Sequence, residues 1–217
     1  MLKQTPGIIY IESQRGLVPE TGGETFCAFN YKGFLNDHKR APLPVQYFNE
    51  TLLNKGAKTP LEIAGASCFV LPLYNGMEVI AGKQRITLHP GEFLYLKNYW
   101  EVFCLNPRKD ETTSFLWFTV VEEKPVIDDP SSLKLSLPIN QVKNQWIHLP
   151  VNQIGIKIAC VESRSELKWN PDANKKGRSF LYNITGMGEV GGRLWNEKDG
   201  LLLWDFDEID IEALSPT

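Results

Sequence analysis

Histidine is scarce in this chain of 217 residues: His38, His89 and His148 are all there are, and they fall in three separate segments. Imidazoles so dispersed do not suggest a metal cluster. The four cysteines (Cys27, Cys68, Cys104, Cys160) lack CxxC spacing, so neither a zinc knuckle nor a redox dithiol is indicated, and small buried hydrophobes in strands are expected instead. No apolar run approaches a membrane span, and Met1 to Tyr10 lacks an apolar signal core, so no membrane association and a cytoplasmic address are expected. Basic residues are not in excess: the net charge is -3, and Lys39-Arg40 and Lys175-Lys176 are only pairs, which leaves no footprint for nucleic acid. Nucleophile elbows, P-loops and Gly-x-Gly-x-x-Gly turns are absent too. The glycine-rich Gly186–Gly192 has no following helix to cradle a phosphate. Asp205, Asp207, Glu208, Asp210 and Glu212 alternate with apolar residues, the pattern of a strand with one acidic face rather than of a calcium loop.

What is present is β-strand signal. Hydrophobic residues at 42% can fill a substantial core, and no stretch up to Val121 has a helical period. Short β-branched and aromatic runs alternate with Gly/Pro turns, as in Ile8–Ile11, Thr25–Phe29, Val45–Phe48, Thr51–Leu53 and Thr113–Val121. Ala66–Tyr74 is continuously apolar, as expected of a strand buried on both faces; Pro72 within it signals an edge or a bulge, and Asn75-Gly76 a hairpin turn. The organising stretch is Gly82–Leu96, a strand, the turn His89-Pro90-Gly91-Glu92 and a second strand, read as a hairpin.

That stretch recurs. Gly76 matches Gly186, 110 residues later, while Gly91 matches Gly200 and Leu105 matches Leu214, each 109 later. A period of domain size predicts two related β modules in tandem rather than a solenoid. Residues 1–124 are expected to form the first, 125–145, with Pro125, Pro130 and Pro138, a linker, and 146–217 a smaller second one. No counterpart of the strand Phe115–Val121 follows Leu214, so the second module must borrow a strand, with the N-terminus as donor, or expose an edge.

The strand, Pro-Gly-acid turn and strand at Pro90-Gly91-Glu92 resemble the cupin superfamily. Within it the start at Tyr10–Gly16, the Thr25–Phe29 strand and the Lys198-Asp199-Gly200 turn resemble pirin and the pirin-like quercetin 2,3-dioxygenases. The resemblance covers almost the whole chain and implies an all-β fold of two tandem cupin-type (jelly-roll) β-barrels. It also implies one iron, copper or nickel ion in the first barrel, held by a His-x-His and a His-x-Glu pair. Those four positions correspond here to Glu62, Ala64, Cys104 and Asn106. Every ligand has changed, two of the four lack a good donor, and no metal or other cofactor is expected.

Glu62, Ala64, Cys104 and Asn106 thus become a candidate pocket, with Tyr74, Tyr95, Trp100 and Trp117 as aromatics able to line it. No catalytic residue is assigned. The expected function is that of a degenerate pirin-like bicupin that binds a small molecule or a protein partner in or near the first barrel, with a homo-oligomer as a further option. The alternatives are a metal-dependent quercetin 2,3-dioxygenase using Glu62 and Cys104, and a metal-free sugar-binding or isomerising cupin with Glu62 or His89 as base.

Overall fold

Alternating burial divides the chain into short strands, beginning with β1 (Gly7–Tyr10), β2 (Gly16–Glu20), β3 (Gly23–Cys27), β4 (Val45–Leu53), β5 (Lys58–Leu61) and β6 (Ser67–Tyr74). Then come β7 (Met77–Ala81), β8 (Gln84–Leu88), β9 (Glu92–Lys97), β10 (Val102–Leu105), β11 (Thr113–Val120) and β12 (Ser131–Ser136). The second half holds β13 (Ile147–His148), β14 (Lys157–Ile158), β15 (Glu166–Trp169), β16 (Ser179–Tyr182), β17 (Gly188–Val190), β18 (Arg193–Trp195), β19 (Gly200–Leu203) and β20 (Ile209–Ala213). The structure, a computed structural model, describes residues 5–63, 66–121, 129–151, 155–171 and 178–217. Among these there is no α-helix, only a 3-10 turn at Glu12–Gln14. Among the described residues no helix is long and apolar enough to cross a membrane.

Two compact units result: Arg15–Leu137, and Pro138–Thr217 together with Met1–Gln14. In the first, a seven-stranded sheet, ordered β12-β9-β6-β11-β4-β3-β2, faces a four-stranded one, β5-β10-β7-β8. Side chains from both inner faces form one core that includes Leu53, Val70, Leu94 and Trp117 from the larger sheet and Val79, Ala81, Val102 and Cys104 from the smaller. This is the packing of a jelly-roll barrel.

The second unit repeats the arrangement. Its sheet β15-β20-β17-β18 matches β5-β10-β7-β8, and β1-β19-β16 matches β12-β9-β6. The N-terminal strand is thus lent to the second module: Gly7–Tyr10 pairs with Leu203–Gly200 along the edge of β19 that corresponds to the edge of β9 taken by β12. Among the described residues β16 has β19 as its one strand neighbour, so the position equivalent to β11 is unfilled.

Several local expectations change. The stretch Gly82–Leu96 is strand, turn and strand, but not a hairpin: β8 pairs with β7 in the small sheet, whereas β9 pairs with β6 and β12 in the large one. His89–Glu92 is therefore a corner between sheets, and the true hairpin is β7–β8, around Gly82-Lys83. Asn75-Gly76, read as a hairpin turn, is a second such corner, from β6 to β7. Pro72 marks a bulge, because Ser114 opposes Tyr74 while Phe115 opposes Pro72. Within 125–145, the segment read as linker, Ser131–Ser136 is a strand. The predicted Gly155–Val161 strand is reduced to Lys157–Ile158.

The repeated glycines serve different ends. Gly91 lies at φ +86°, a conformation that side chains resist, and closes the corner. Its counterpart Gly200 has an ordinary φ, but a Cβ there would lie 2.8 Å from the Phe180 ring, so close packing selects the same residue.

Candidate functional site: the open end of the first barrel

In the small sheet Leu61, Val102 and Ala81 form one rung, and Glu62, Glu101 and Gly82 follow at the same end. A groove of about 610 Å³ opens there, lined among others by Gly82, Gln84, Tyr99, Trp100 and Glu101. Trp100 is 80% exposed, so most of its indole faces solvent, whereas Tyr99 is buried in the core. The short β7–β8 and β9–β10 connections position both walls of the groove.

At the same end lies an aromatic cluster from β4, β11 and the loop after β3. Tyr31 and Tyr47 meet edge to face with centroids 5.2 Å apart, and Trp117 packs against them at 5.5 Å and 6.3 Å in the same manner. The Trp117 indole N–H donates to Thr51 Oγ1 at 3.0 Å, and the Thr51 hydroxyl lies 2.8 Å from that of Thr25. These buried bonds fix the tryptophan. Burial raises the Tyr31 hydroxyl pKa, and the nearby Glu20 and Glu62 carboxylates raise it further; burial and then Glu62 do the same to Tyr47. Glu62 itself is exposed, with its charge reaching both phenols.

Asn49 belongs to this cluster. It sits opposite Trp117 on one side and Cys27 on the other, so its side chain shares their interior face, and it is 1% exposed. Neither its amide nitrogen nor its amide oxygen has a hydrogen-bond partner. Thr59, opposite Cys104 on the facing sheet, is also 1% exposed with an unpartnered hydroxyl. Buried polar groups are nearly always bonded, so these atoms mark the interior as unusual. The sequence reading missed Asn49, Tyr31 and Tyr47.

Of the four positions aligned with metal ligands, the three among the described residues differ in burial and bonding. Glu62 is at the solvent edge, and Ala64 lies outside the described residues. Cys104 is fully buried, with a thiol pKa pushed well above its ordinary value by burial and then by the neighbouring Cys68. Asn106 is also fully buried, and its amide nitrogen donates to the carbonyls of Leu53 (3.2 Å), Asn54 (3.1 Å) and Glu111 (2.8 Å). Its oxygen accepts the Arg108 N–H at 3.0 Å. Asn106 therefore ties the end of β4 to the β10–β11 loop. Among the described residues no three His, Cys, Asp or Glu side chains form a metal-binding group. A neutral thiol, a fully engaged amide and one solvated carboxylate do not fit a transition-metal ion.

The candidate aromatics also separate. Trp100 borders the groove and Trp117 is core. Tyr74 is 57% exposed at the end of β6. Tyr95 lies on the outer face of the large sheet, stacked on Phe69 at 5.0 Å and bonded to the Ser67 hydroxyl at 3.1 Å.

No family model and no curated protein matches the sequence. Solved structures do match in fold, and they define the class: the chain has the two-domain cupin fold of the bacterial pirins. YhhW from Escherichia coli superposes with a TM-score of 0.85 at 15% identity, over 97% of this chain and 94% of that one. The bacterial pirin YhhW in complex with nickel(II) superposes with a TM-score of 0.82 at 15% identity, over 97% and 95%. A quercetin 2,3-dioxygenase from Acinetobacter baumannii gives 0.71 at 10% identity, over 100% and 85%.

Proposed function

We propose that this protein is a metal-independent bicupin whose first barrel binds a small molecule at its open end. The observation that carries this reading is an open, aromatic-walled groove at one end of a barrel whose ligand-aligned positions are unfit for a transition metal. The groove is within the volume range of small-molecule sites, about 300–1,000 Å³. Trp100 offers a rigid stacking surface, and Gln84 and Glu101 supply polar contacts at its rim.

Elemental analysis after incubation with iron, copper and nickel salts, followed by desalting, tests the metal-free part. The expected content is below about 0.1 equivalent of each; retention of about one equivalent, the stoichiometry of a specific site, overturns it. A calorimetric screen of planar and cyclic compounds on the wild type and on Trp100→Ala tests the binding part, with loss of affinity expected in the variant. If every hit binds Trp100→Ala as tightly as wild type, the groove is not the site. A second reading, a quercetin 2,3-dioxygenase, is favoured by the fold likeness to an enzyme of that name. Oxygen uptake with quercetin by the metal-treated protein would support that reading instead.

A further inference from the structure

The unpartnered Asn49 amide carries a statement about what the barrel recognises. On its own rung the other polar groups are engaged: the Trp117 indole donates to Thr51, and the Cys27 thiol points to the Thr25 carbonyl at 3.7 Å. The protein thus supplies neither the acceptor that the Asn49 N–H groups need nor the donor that its oxygen needs. A primary amide presents these two functions side by side in one plane. Its complement is another planar group with a carbonyl and an N–H on adjacent atoms.

The surroundings narrow the class. Tyr47 lies two residues along the same inward face of β4, is only half-buried, and packs edge to face with Tyr31 and Trp117. Rotation of Tyr47 away from these rings would uncover aromatic faces on which a flat ring can pack. The Glu62 charge, which raises the pKa of both phenols at this end, disfavours an anion. We propose that the ligand is an uncharged cyclic amide, a lactam or imide ring, whose carbonyl accepts from the Asn49 amide nitrogen and whose N–H donates to the Asn49 oxygen. Tyr47 is the side chain that must move to admit it. This inference rests on the reading above that the barrel binds a small molecule.

The test uses the intact protein with uracil and 2-pyridone as probes and 1,3-dimethyluracil, which keeps the ring but has no N–H, as the control. Calorimetry should show saturable binding of both probes and no measurable binding of the control. Asn49→Leu should weaken the probes roughly 10- to 100-fold, the worth of two buried hydrogen bonds. A spectroscopic readout avoids reliance on the variant's folding: in the nitrogen-15 spectrum of the wild type, the Asn49 side-chain pair, assigned by its loss in Asn49→Leu or by sequential connectivities, should shift on addition of uracil. Three results overturn the proposal: no binding of either probe at millimolar concentration, equal binding of probe and control, or an Asn49 amide signal that does not move as the probe saturates. If another compound then binds through Trp100, small-molecule binding by the barrel stands and only the lactam assignment falls. If no compound binds at all, both fall.

Discussion

Replacing Asn49 by leucine should stabilise the protein, a direction opposite to that of most core substitutions. The two side chains have the same branching and the same number of heavy atoms, so the change replaces two polar atoms by methyls in place. Asn49 is 1% exposed and both its polar atoms are unpartnered, so folding strips them of water with no return. Such uncompensated burial costs about 1–3 kcal/mol. The methyls are bulkier than the amide atoms, and overpacking next to Trp117 and Cys27 takes back about 1 kcal/mol. The net gain is up to about 2 kcal/mol, which for a chain of this size corresponds to up to roughly 8 °C in melting temperature. Thermal and urea denaturation of the intact chain, without added ligand, measure it. A loss of 1 kcal/mol or more would show that the amide has a partner in the free protein, and the inference about a lactam ligand would lose its foundation.

Asn106→Ala should act the other way. It strips the carbonyls of Leu53, Asn54 and Glu111 of a shared donor, and a loss of about 3–5 kcal/mol in urea denaturation is expected. Burial alone would raise the Glu92 pKa, but bonds from Lys134 Nζ and the His89 N–H and the Lys134 charge outweigh it, so the carboxyl titrates below its usual range. Because the folded value is depressed, this contribution is present above the unfolded pKa of about 4.3 and is lost as pH falls through the folded one. The acid limb of the stability profile should therefore be shallower in Glu92→Gln. Burial raises the pKa of Cys68 and Cys104 far up and, with help from Glu20, that of Cys27 to about 12. Native protein at pH 8 should thus release one equivalent with a thiol reagent, from half-exposed Cys160, and four after denaturation. Rapid release of more than one would mean that the core thiols are accessible as ligands.

Much of this fold is legible in the sequence because its strands have clean patterns. The β7 residues Met77, Val79 and Ala81 alternate buried with half-buried neighbours, and in β20 Ile209, Ile211 and Ala213 alternate with exposed Asp210 and Glu212. The period of 109 to 110 residues likewise predicts the second module, but the strand lent by the N-terminus takes the place of β12, and among the described residues the place of β11, whose counterpart is missing, stays unfilled. What fails is local geometry with no residue signature. A Pro-Gly turn between two strands looks the same whether the strands pair or part into opposite sheets, so the corner at His89–Glu92 reads as a hairpin. Strand β4 reads in the sequence as two fragments because both its faces are mixed: Tyr47, Asn49, Thr51 and Leu53 point inward, while Phe48 and Glu50 point outward. A polar residue in the core breaks the hydrophobic period by which a core strand is recognised. The signal that hides β4 is thus the same one that marks the candidate site.

The resemblance to pirins therefore transfers the scaffold more readily than the chemistry. A jelly-roll needs small and apolar side chains facing inward and turns that tolerate a corner, and these demands are met at 15% identity to YhhW. A metal centre needs donors that are deprotonated and not otherwise engaged. At the corresponding positions the polar atoms are spent on the fold: the Asn106 amide holds three carbonyls, and the Cys104 thiol is kept neutral by the core around it. Among the described residues, unspent polarity facing the interior of the first barrel includes Asn49 of β4 and Thr59 of β5, on opposite sheets. An amide and a hydroxyl bind neutral polar ligands through hydrogen bonds and are poor ligands for iron, copper or nickel. It is where the free donors and acceptors lie that makes recognition the function to test.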